Sequence, residues 1–175
     1  MIMKRTFFIA ILAVLVTISA AAQTPNTQGL KKVYNEEINQ LEQIDKAVAQ
    51  AKKEGKFVIC QLGGNWCVWC LRFADYISKD ADITKIINDN YVYIHVNYNP
   101  RMAKSKDEAV AKRAAALMKR LDNAGRFGYP VFIVLDKNGK VIHIQDSGYL
   151  EEGEGYNKEK VVRFFKNWTP KAVNS

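Results

Sequence analysis

The sequence predicts an α/β fold with a central mixed sheet of about four strands and helices on both faces. Three observations lead to this prediction. Short apolar segments bounded by glycine or proline alternate with longer segments of helical periodicity. Such alternation indicates parallel strands joined by right-handed crossovers. A hairpin signal near the C-terminus adds antiparallel strands, so the sheet is mixed.

The first half of the predicted fold contains two strands. A helical stripe of apolar residues begins at Tyr34 and ends at Gly55. The apolar run 56–62 follows and predicts a buried strand, which we expect to be central. A strand over 91–97 is expected to pair parallel to it. Helical segments are predicted between these strands, at about 68–78 and within 80–88.

The second half contains a helix, a hairpin and a closing helix. Residues 104–121 have one apolar face and predict the helix. Pro130 opens the apolar run 131–135, which we expect to pair antiparallel to the central strand. The turn sequence Asp-Lys-Asn-Gly then leads into 141–144, as in a hairpin. Asn157 is a predicted cap for the last helix.

Residues 1–22 have the three parts of a secretory signal peptide. A basic start, Lys4-Arg5, precedes an apolar core of 12 residues over 7–18, and small residues continue to Ala22. A membrane-spanning helix needs about 20 apolar residues. Cleavage is therefore favoured, and a retained membrane anchor is the alternative. We expect a periplasmic or secreted protein.

The rest of the chain has the length of one domain with a full core. We predict a polar tether over 23–33, the domain over 34–170 and a tail over 171–175. The chain carries 26 Lys and Arg against 18 Asp and Glu, a net charge of +8. These charges are mixed along the helices rather than gathered in one basic patch. We therefore expect a solvated surface and no nucleic-acid partner. We also expect a monomer.

Cys67 and Cys70 stand three residues apart, a spacing shared by three kinds of site. A structural zinc site needs four ligands. The other candidate ligands all lie inside predicted strands: Cys60, His95 and His143. We therefore expect no metal. A structural disulfide across two residues would close a loop so small that it removes little entropy from the unfolded chain.

A redox couple has a physical cause in this sequence. Cys67 would lie at the N-terminus of the helix after the 56–62 strand. Free N–H groups and the helix dipole stabilise a thiolate there, and the thiolate is the attacking species in disulfide exchange. Cys70, one turn further on, would lie beneath it and could attack the resulting mixed disulfide. The pattern favours this interpretation over zinc or a structural disulfide.

The Trp66-Cys67-Val68-Trp69-Cys70 segment, together with Tyr129-Pro130 and the hairpin sequence over 130–140, resembles the thioredoxin superfamily. It is most similar to exported thioredoxin-like domains of the thiol:disulfide interchange type. The resemblance covers roughly residues 45–168. It implies a thiol–disulfide oxidoreductase that acts on protein thiols or disulfides without metal or organic cofactor. A reductase outside the cytosol would also need a membrane electron donor.

The resemblance implies roles for five residues. Cys67 corresponds to the attacking cysteine and Cys70 to the resolving one. Pro130 corresponds to the family's cis-proline, which packs against the cysteine pair. An ordinary strand-opening proline is the alternative. Tyr129 would offer its backbone to a substrate strand, and Trp66 would present a flat apolar surface to substrate or be half-buried core.

Two features depart from the family pattern. Thioredoxins carry a buried aspartate six residues before the attacking cysteine, and Gln61 occupies that position here. Glutamine cannot accept a proton near neutral pH. His95 matches the lysine that partners this aspartate, so we hypothesise that His95 supplies the missing base; a hydrogen-bonded core histidine is the alternative. Val68-Trp69 replaces the Gly-Pro of thioredoxin and leaves the direction of electron flow open, with reductase favoured over oxidase.

Cys60 is the cysteine left over from the pair. It neighbours Gln61 on a strand, so its side chain should point to the opposite face of the sheet, and we expect an inert core thiol. The fold alone does not fix the function. A non-catalytic thioredoxin-like binding module with a structural disulfide is therefore the alternative function.

Overall fold

The computed structural model of the chain describes residues 29–174. The predicted signal peptide and the first part of the predicted tether, residues 23–28, lie outside this range. Within it, none of the helices combines the length and the apolar character that crossing a membrane requires.

The elements alternate as the sequence predicts. In chain order they are α1 Gln40–Glu54, β1 Phe57–Gly63, α2 Val68–Lys79, α3 Ala81–Asn90, β2 Tyr91–Asn97, α4 Glu108–Arg120, β3 Val131–Leu135, β4 Val141–Asp146, β5 Glu151–Glu152, β6 Gly155–Tyr156, α5 Lys158–Asn167 and α6 Pro170–Val173. Three short 3-10 turns lie at Pro100–Lys104, Ala124–Phe127 and Ser147–Leu150.

The main sheet has four strands in the order β2-β1-β3-β4. β1 pairs parallel with β2 and antiparallel with β3, and β3 pairs antiparallel with β4. The predicted central strand, the parallel partner, the antiparallel partner and the hairpin are all confirmed. β5 and β6 form a separate small hairpin between β4 and α5.

The central strand is buried on both faces, which explains its continuous apolar sequence. On one face Cys60 lies in a cluster with residues of α1 and α4, such as Ile44 and Leu117. On the other face Ile59 lies in a cluster with residues of α2 and α5, such as Phe73. Helices therefore cover both faces, as predicted. Gln61, two residues from Ile59, shares the α2 face.

The predicted start of the first helix at Tyr34 is wrong, because α1 begins at Gln40. Asn39 caps it with a side-chain oxygen that accepts from the backbone N–H of Leu41 and Glu42. Tyr34 has helical spacing in sequence but is buried elsewhere, with 4% of its surface exposed. A buried aromatic residue ahead of a helix fits the same periodicity as a residue within it.

The predicted helix over 104–121 is shorter at its start, because α4 begins at Glu108. Asp107 caps it, accepting from the backbone N–H of Ala109 and Val110. The predicted cap of the last helix is confirmed, since the Asn157 side chain accepts from the N–H of Lys160.

The folded structure extends beyond both predicted ends of the domain. Leu30 and Val33 of the predicted tether pack against the cluster that contains Tyr34. At the other end α6 spans Pro170–Val173, within the segment predicted as a tail. The contacts of Leu30 and Val33 connect the segment ahead of α1 to the cysteine pair, because that cluster also contains Cys67 and Cys70.

Candidate active site at the Cys67–Cys70 disulfide

Cys67 and Cys70 are joined by a disulfide at the start of α2, with their Cα atoms 5.2 Å apart. Cys67 is the N-cap residue, and its Sγ accepts a hydrogen bond from the backbone N–H of Cys70 at 3.1 Å. The first turn of α2 carries no acidic residue, so no nearby carboxylate in that turn offsets the positive end of the helix dipole. The predicted placement of Cys67 at a helix N-terminus is confirmed.

Cys67 and Cys70 differ in the fraction of their surface that is exposed to solvent. Cys67 retains 7% of its surface exposed, whereas Cys70 is fully buried. One cysteine can therefore be reached by a partner and the other lies beneath it. This asymmetry suits a division into an attacking and a resolving thiol.

Two glycines let the end of β1 approach the cysteine pair. A Cβ added to Gly63 would overlap Cys70 Sγ and would lie 3.0 Å from the Tyr34 hydroxyl oxygen. A Cβ added to Gly64 would overlap the indole ring of Trp66. The absence of a side chain at each position is thus a packing requirement of the site.

The Tyr129–Pro130 peptide bond is cis, and Pro130 is buried immediately before β3. Tyr129 packs against the cluster that contains both cysteines. Its ring lies edge-on to the Trp66 ring, with 5.5 Å between centroids. The structure therefore brings Tyr129 to the cluster that contains the disulfide, and Pro130 has the cis bond that the resemblance implies.

Trp66 presents one of the large exposed apolar surfaces of the described chain, with 42% of its area exposed. Its indole N–H donates to the Tyr98 carbonyl at 3.0 Å, which fixes the ring while leaving one face open. With Tyr129 it forms an aromatic surface beside the disulfide. Of the two sequence interpretations, the exposed surface describes Trp66 better than half-buried core.

Gln61 lies under the disulfide and is fully buried. Its Nε2 donates to the Tyr34 hydroxyl at 2.7 Å and to the Cys70 carbonyl at 2.9 Å. Its Oε1 accepts from the Tyr93 hydroxyl at 2.6 Å. The amide joins β1, β2, α2 and the segment ahead of α1 by hydrogen bonds. We call this set of residues the Gln61 network: Gln61, Tyr34, Tyr93 and Cys70.

His95 is directly opposite Gln61 in the parallel register of β1 and β2. Its ring packs edge-on against those of Tyr34 and Tyr93, at 5.3 and 5.5 Å between centroids. Its Nε2 is buried without a hydrogen-bond partner among residues 29–174. Burial lowers the pKa of His95 to about 4. Gln61 and His95, which occupy the positions of the family's acid–base pair, are thus neighbours in the sheet, and the described hydrogen bonds do not join their side chains.

A cavity of about 360 Å³ lies behind the Gln61 network, between β2 and the helices α2 and α3. His95 and Tyr93 line it together with apolar side chains that include Ala74, Ile77 and Ile87. Neither Cys67 nor Cys70 lines it. The cavity is therefore separate from the place where disulfide chemistry would occur.

Sequence reasoning missed two residues of the site, Tyr34 and Asn65. The Asn65 side chain lies in the loop before the cysteines and binds the backbone of Tyr34 at both its N–H and its carbonyl. These partners are 31 residues apart. No local pattern in the sequence signals such a contact, because neither residue belongs to a recognisable motif.

The third cysteine lies on the opposite side of β1. Cys60 is free and fully buried among apolar side chains, and burial raises the pKa of its thiol to about 12. The predicted orientation away from Gln61 agrees with this placement. Over residues 29–174 the structure shows no group of three or more His, Cys, Asp or Glu that could hold a metal ion.

The fold and the disulfide at a helix start define a thioredoxin-like protein of the thiol:disulfide type. Residues 44–159 match the family described as the thioredoxin-like domain, and the chain belongs to that family. A segment of 61 residues is 31% identical to the thiol:disulfide interchange protein DsbD of Colwellia psychrerythraea. The matched segment is 35% of this chain and 10% of DsbD, so the chain spans about a tenth of that relative's length.

A solved structure shows the same fold over nearly the whole described domain. The disulphide isomerase from Xylella fastidiosa Temecula1 matches with a TM-score of 0.61 and 21% sequence identity. The match covers 84% of this chain and 98% of that chain. The predicted thioredoxin-like α/β fold is confirmed.

Proposed function

We propose that the chain is a thiol–disulfide oxidoreductase that exchanges disulfides with proteins outside the cytosol through the Cys67–Cys70 couple. The observation that carries the proposal is the asymmetry of the pair. Cys67 caps a helix and keeps 7% of its surface exposed, whereas Cys70 is fully buried. A helix N-terminus favours the thiolate at the position that a substrate can reach.

In the reducing direction the exchange takes two steps. The Cys67 thiolate attacks one sulfur of a substrate disulfide, and the other substrate sulfur leaves with the electron pair. Cys70, as thiolate, then attacks Cys67 Sγ. The Cys67–Cys70 bond forms, the bond to substrate breaks, and the second substrate sulfur leaves as thiolate. The substrate gains two electrons and the couple loses two, while the oxidising direction is the reverse.

Substrate would lie on the surface formed by Trp66 and Tyr129, next to the buried Pro130. Trp66 supplies exposed aromatic area next to Cys67, and Tyr129 adds a partly buried ring beside it. Aromatic side chains are enriched where proteins bind one another. The backbone of Tyr129, ahead of the cis bond, would pair with an extended segment of substrate. The partners are accordingly protein thiols or disulfides, met by a monomer.

We propose export on the pattern of residues 1–22 and reduction as the favoured direction. An oxidising compartment returns the couple to its disulfide, so a reductase there needs a continuing supply of electrons. A membrane protein that passes electrons from inside the cell is the partner that this chemistry requires. The segment that resembles a thiol:disulfide interchange protein supports exchange as the activity.

Trapping of mixed disulfides tests the activity. A Cys70→Ser variant keeps the attacking thiol and lacks the resolving one, so it should accumulate adducts with disulfide-containing exported proteins that dissolve on reduction. The matched control is Cys67→Ser, whose remaining thiol at Cys70 is buried and should trap none. If Cys70→Ser forms no adducts and the wild-type disulfide resists every glutathione mixture, the chain is a binding module with a structural disulfide.

The direction follows from the reduction potential of the couple. Titration of wild-type protein in graded glutathione buffers, read by alkylation and mass, gives this value. A potential near that of thioredoxin, about −270 mV, supports a reductase that needs a donor. A potential near about −120 mV would make the protein a disulfide donor instead.

A further inference from the structure

The segment ahead of α1 places the phenol ring of Tyr34 in one cluster with Cys70, the proposed resolving cysteine. Tyr34 is almost fully buried in one cluster with Cys67 and Cys70. Its hydroxyl oxygen and Cys70 Sγ are the two groups nearest to the position that a Cβ on Gly63 would take. The hydroxyl oxygen and Cys70 Sγ therefore border the same space next to Gly63, and in the disulfide form the described hydrogen bonds do not join them. Cys70 Sγ is the sulfur that must become a thiolate during exchange.

Tyr34 is held at this position from two sides. Asn65 binds its backbone, with Nδ2 donating to the Tyr34 carbonyl at 2.8 Å and Oδ1 accepting from its N–H at 3.1 Å. Gln61 Nε2 donates to its hydroxyl oxygen at 2.7 Å. The loop before the cysteines, through Asn65, and strand β1, through Gln61, thus both fix the Tyr34 side chain and backbone.

The Tyr34 hydroxyl can act as a donor and not as a base. Its oxygen already accepts from Gln61, and in the described hydrogen bonds its own proton has no acceptor. Burial raises the pKa of Tyr34 far above its ordinary value, so the hydroxyl keeps its proton at neutral pH. Gln61 cannot serve instead, because its two N–H groups are used by Tyr34 and by the Cys70 carbonyl.

We propose that the Tyr34 hydroxyl donates a hydrogen bond to the Cys70 thiolate and so promotes the resolving step. The inference rests on the proposed function. Cys70 gives its proton to solvent, and the thiolate attacks Cys67 Sγ of the mixed disulfide. The Cys67–Cys70 bond forms, and the substrate sulfur leaves with the electron pair and takes a proton from water. A buried thiolate without a donor would be costly, and hydrogen bonds to ionised acceptors are the strong ones.

A pH measurement reports on the cysteines where the other titratable groups near Tyr34 and Cys70 keep a constant charge. The titratable groups that face them are Tyr93 and His95 of β2, Tyr129 before β3, Tyr156 of β6, Cys67 of α2 and, beyond Asn65, the carboxylate of Glu36. Burial raises the pKa of the three tyrosines and lowers that of His95 to about 4. These shifts keep the three tyrosines and His95 neutral between about pH 6 and 9, the range in which a free cysteine ordinarily loses its proton.

The test follows the resolving step directly. Reduced protein in a Cys60→Ala background reacts with the aromatic disulfide DTNB. The first thionitrobenzoate reports attack by Cys67, and the second reports displacement by Cys70. Tyr34→Phe should slow the second release about tenfold at pH 7, the effect of losing one hydrogen bond to a charged group. The midpoint of its pH–rate profile should move upward.

Two matched variants separate donation from loss of packing. Tyr91→Phe removes another buried hydroxyl, which donates to the Phe165 carbonyl, and should leave the profile unchanged. Tyr93→Phe removes the hydroxyl on the other side of Gln61 and should shift the midpoint by less than half as much as Tyr34→Phe. An equal shift in Tyr93→Phe, or none in Tyr34→Phe, overturns the proposal. Wild-type protein that releases no second equivalent would instead overturn the proposed function.

Discussion

Asn65 binds both backbone groups of Tyr34, with distances of 2.8 Å to the carbonyl and 3.1 Å to the N–H. A side-chain amide here makes the pair of bonds that a neighbouring strand would otherwise make. The result is that the loop ahead of the cysteines and the segment ahead of α1 form one structural unit. Changes in either should be felt at the disulfide.

Replacing Asn65 by alanine should lower the free energy of unfolding by about 2 kcal/mol, since two partly buried hydrogen bonds are lost at about 1 kcal/mol each. Urea unfolding of oxidised protein measures this. Asn88→Ala, on the exposed face of α3, is the matched control and should change stability by less than about 0.5 kcal/mol. If Asn65→Ala and Asn88→Ala lose the same free energy of unfolding, the hydrogen bonds of Asn65 contribute nothing to stability.

Replacing Gly63 by alanine should destabilise the protein by about 1–3 kcal/mol, because the added Cβ overlaps Cys70 Sγ and the crowded site must shift. The same variant should re-form its disulfide more slowly. Gly155→Ala is the control, because a Cβ there meets no atom within 4 Å. Urea unfolding and the rate of oxidation by glutathione disulfide provide the two readouts. A Gly63→Ala protein with wild-type stability and a wild-type rate of disulfide formation would contradict the packing described for the end of β1.

Replacing His95 by phenylalanine tests the hypothesis that this residue is the missing base. Since the pKa of His95 is lowered to about 4, the ring is neutral at pH 7 and holds protons only in more acidic solution. We expect the pH dependence of thiol exchange between pH 6 and 9 to be the same in His95→Phe and in wild type. A midpoint that moves in the variant would show that His95 takes part in proton transfer.

The same shift predicts how stability changes with pH. The folded-state pKa of His95, about 4, is below the ordinary value of 6.5. The unfolded chain therefore binds this proton more readily, and stability falls as the pH drops from about 6.5 to 4. Between pH 7 and 5 wild type should lose about 2 kcal/mol more than His95→Phe. Urea unfolding at the two pH values checks this, and parallel losses would refute it.

Replacing Trp66 by alanine should weaken exchange with peptide disulfides more than it weakens the fold. The indole is 42% exposed and lies beside Tyr129, so its loss removes substrate contact area. We expect kcat/KM to fall about tenfold, mainly through KM, as for an aromatic contact worth about 1.4 kcal/mol. Trp66→Phe keeps an aromatic face without the N–H and should retain most activity. An unchanged KM in Trp66→Ala would place the substrate elsewhere.

The sequence by itself determined the fold and the position of the cysteine pair at the start of a helix. The continuous apolar run before Gly63 required a strand covered on both faces, and the turn before Val141 required a hairpin. Cys67 followed the strand at the point where a helix begins, which placed a thiol at a helix N-terminus. These features depend on residues close together in the chain, so local patterns were enough to predict them.

The tertiary structure alone decided what surrounds Cys70. Tyr34 fits the periodicity of α1 but lies beneath the disulfide, 27 residues from its hydrogen-bond partner Gln61. His95 is next to Gln61 in the sheet, yet its ring packs against tyrosines and its Nε2 has no partner among the described residues. Burial and partners across the fold set these properties. Because they arise only when distant segments pack together, no spacing in the sequence contained them.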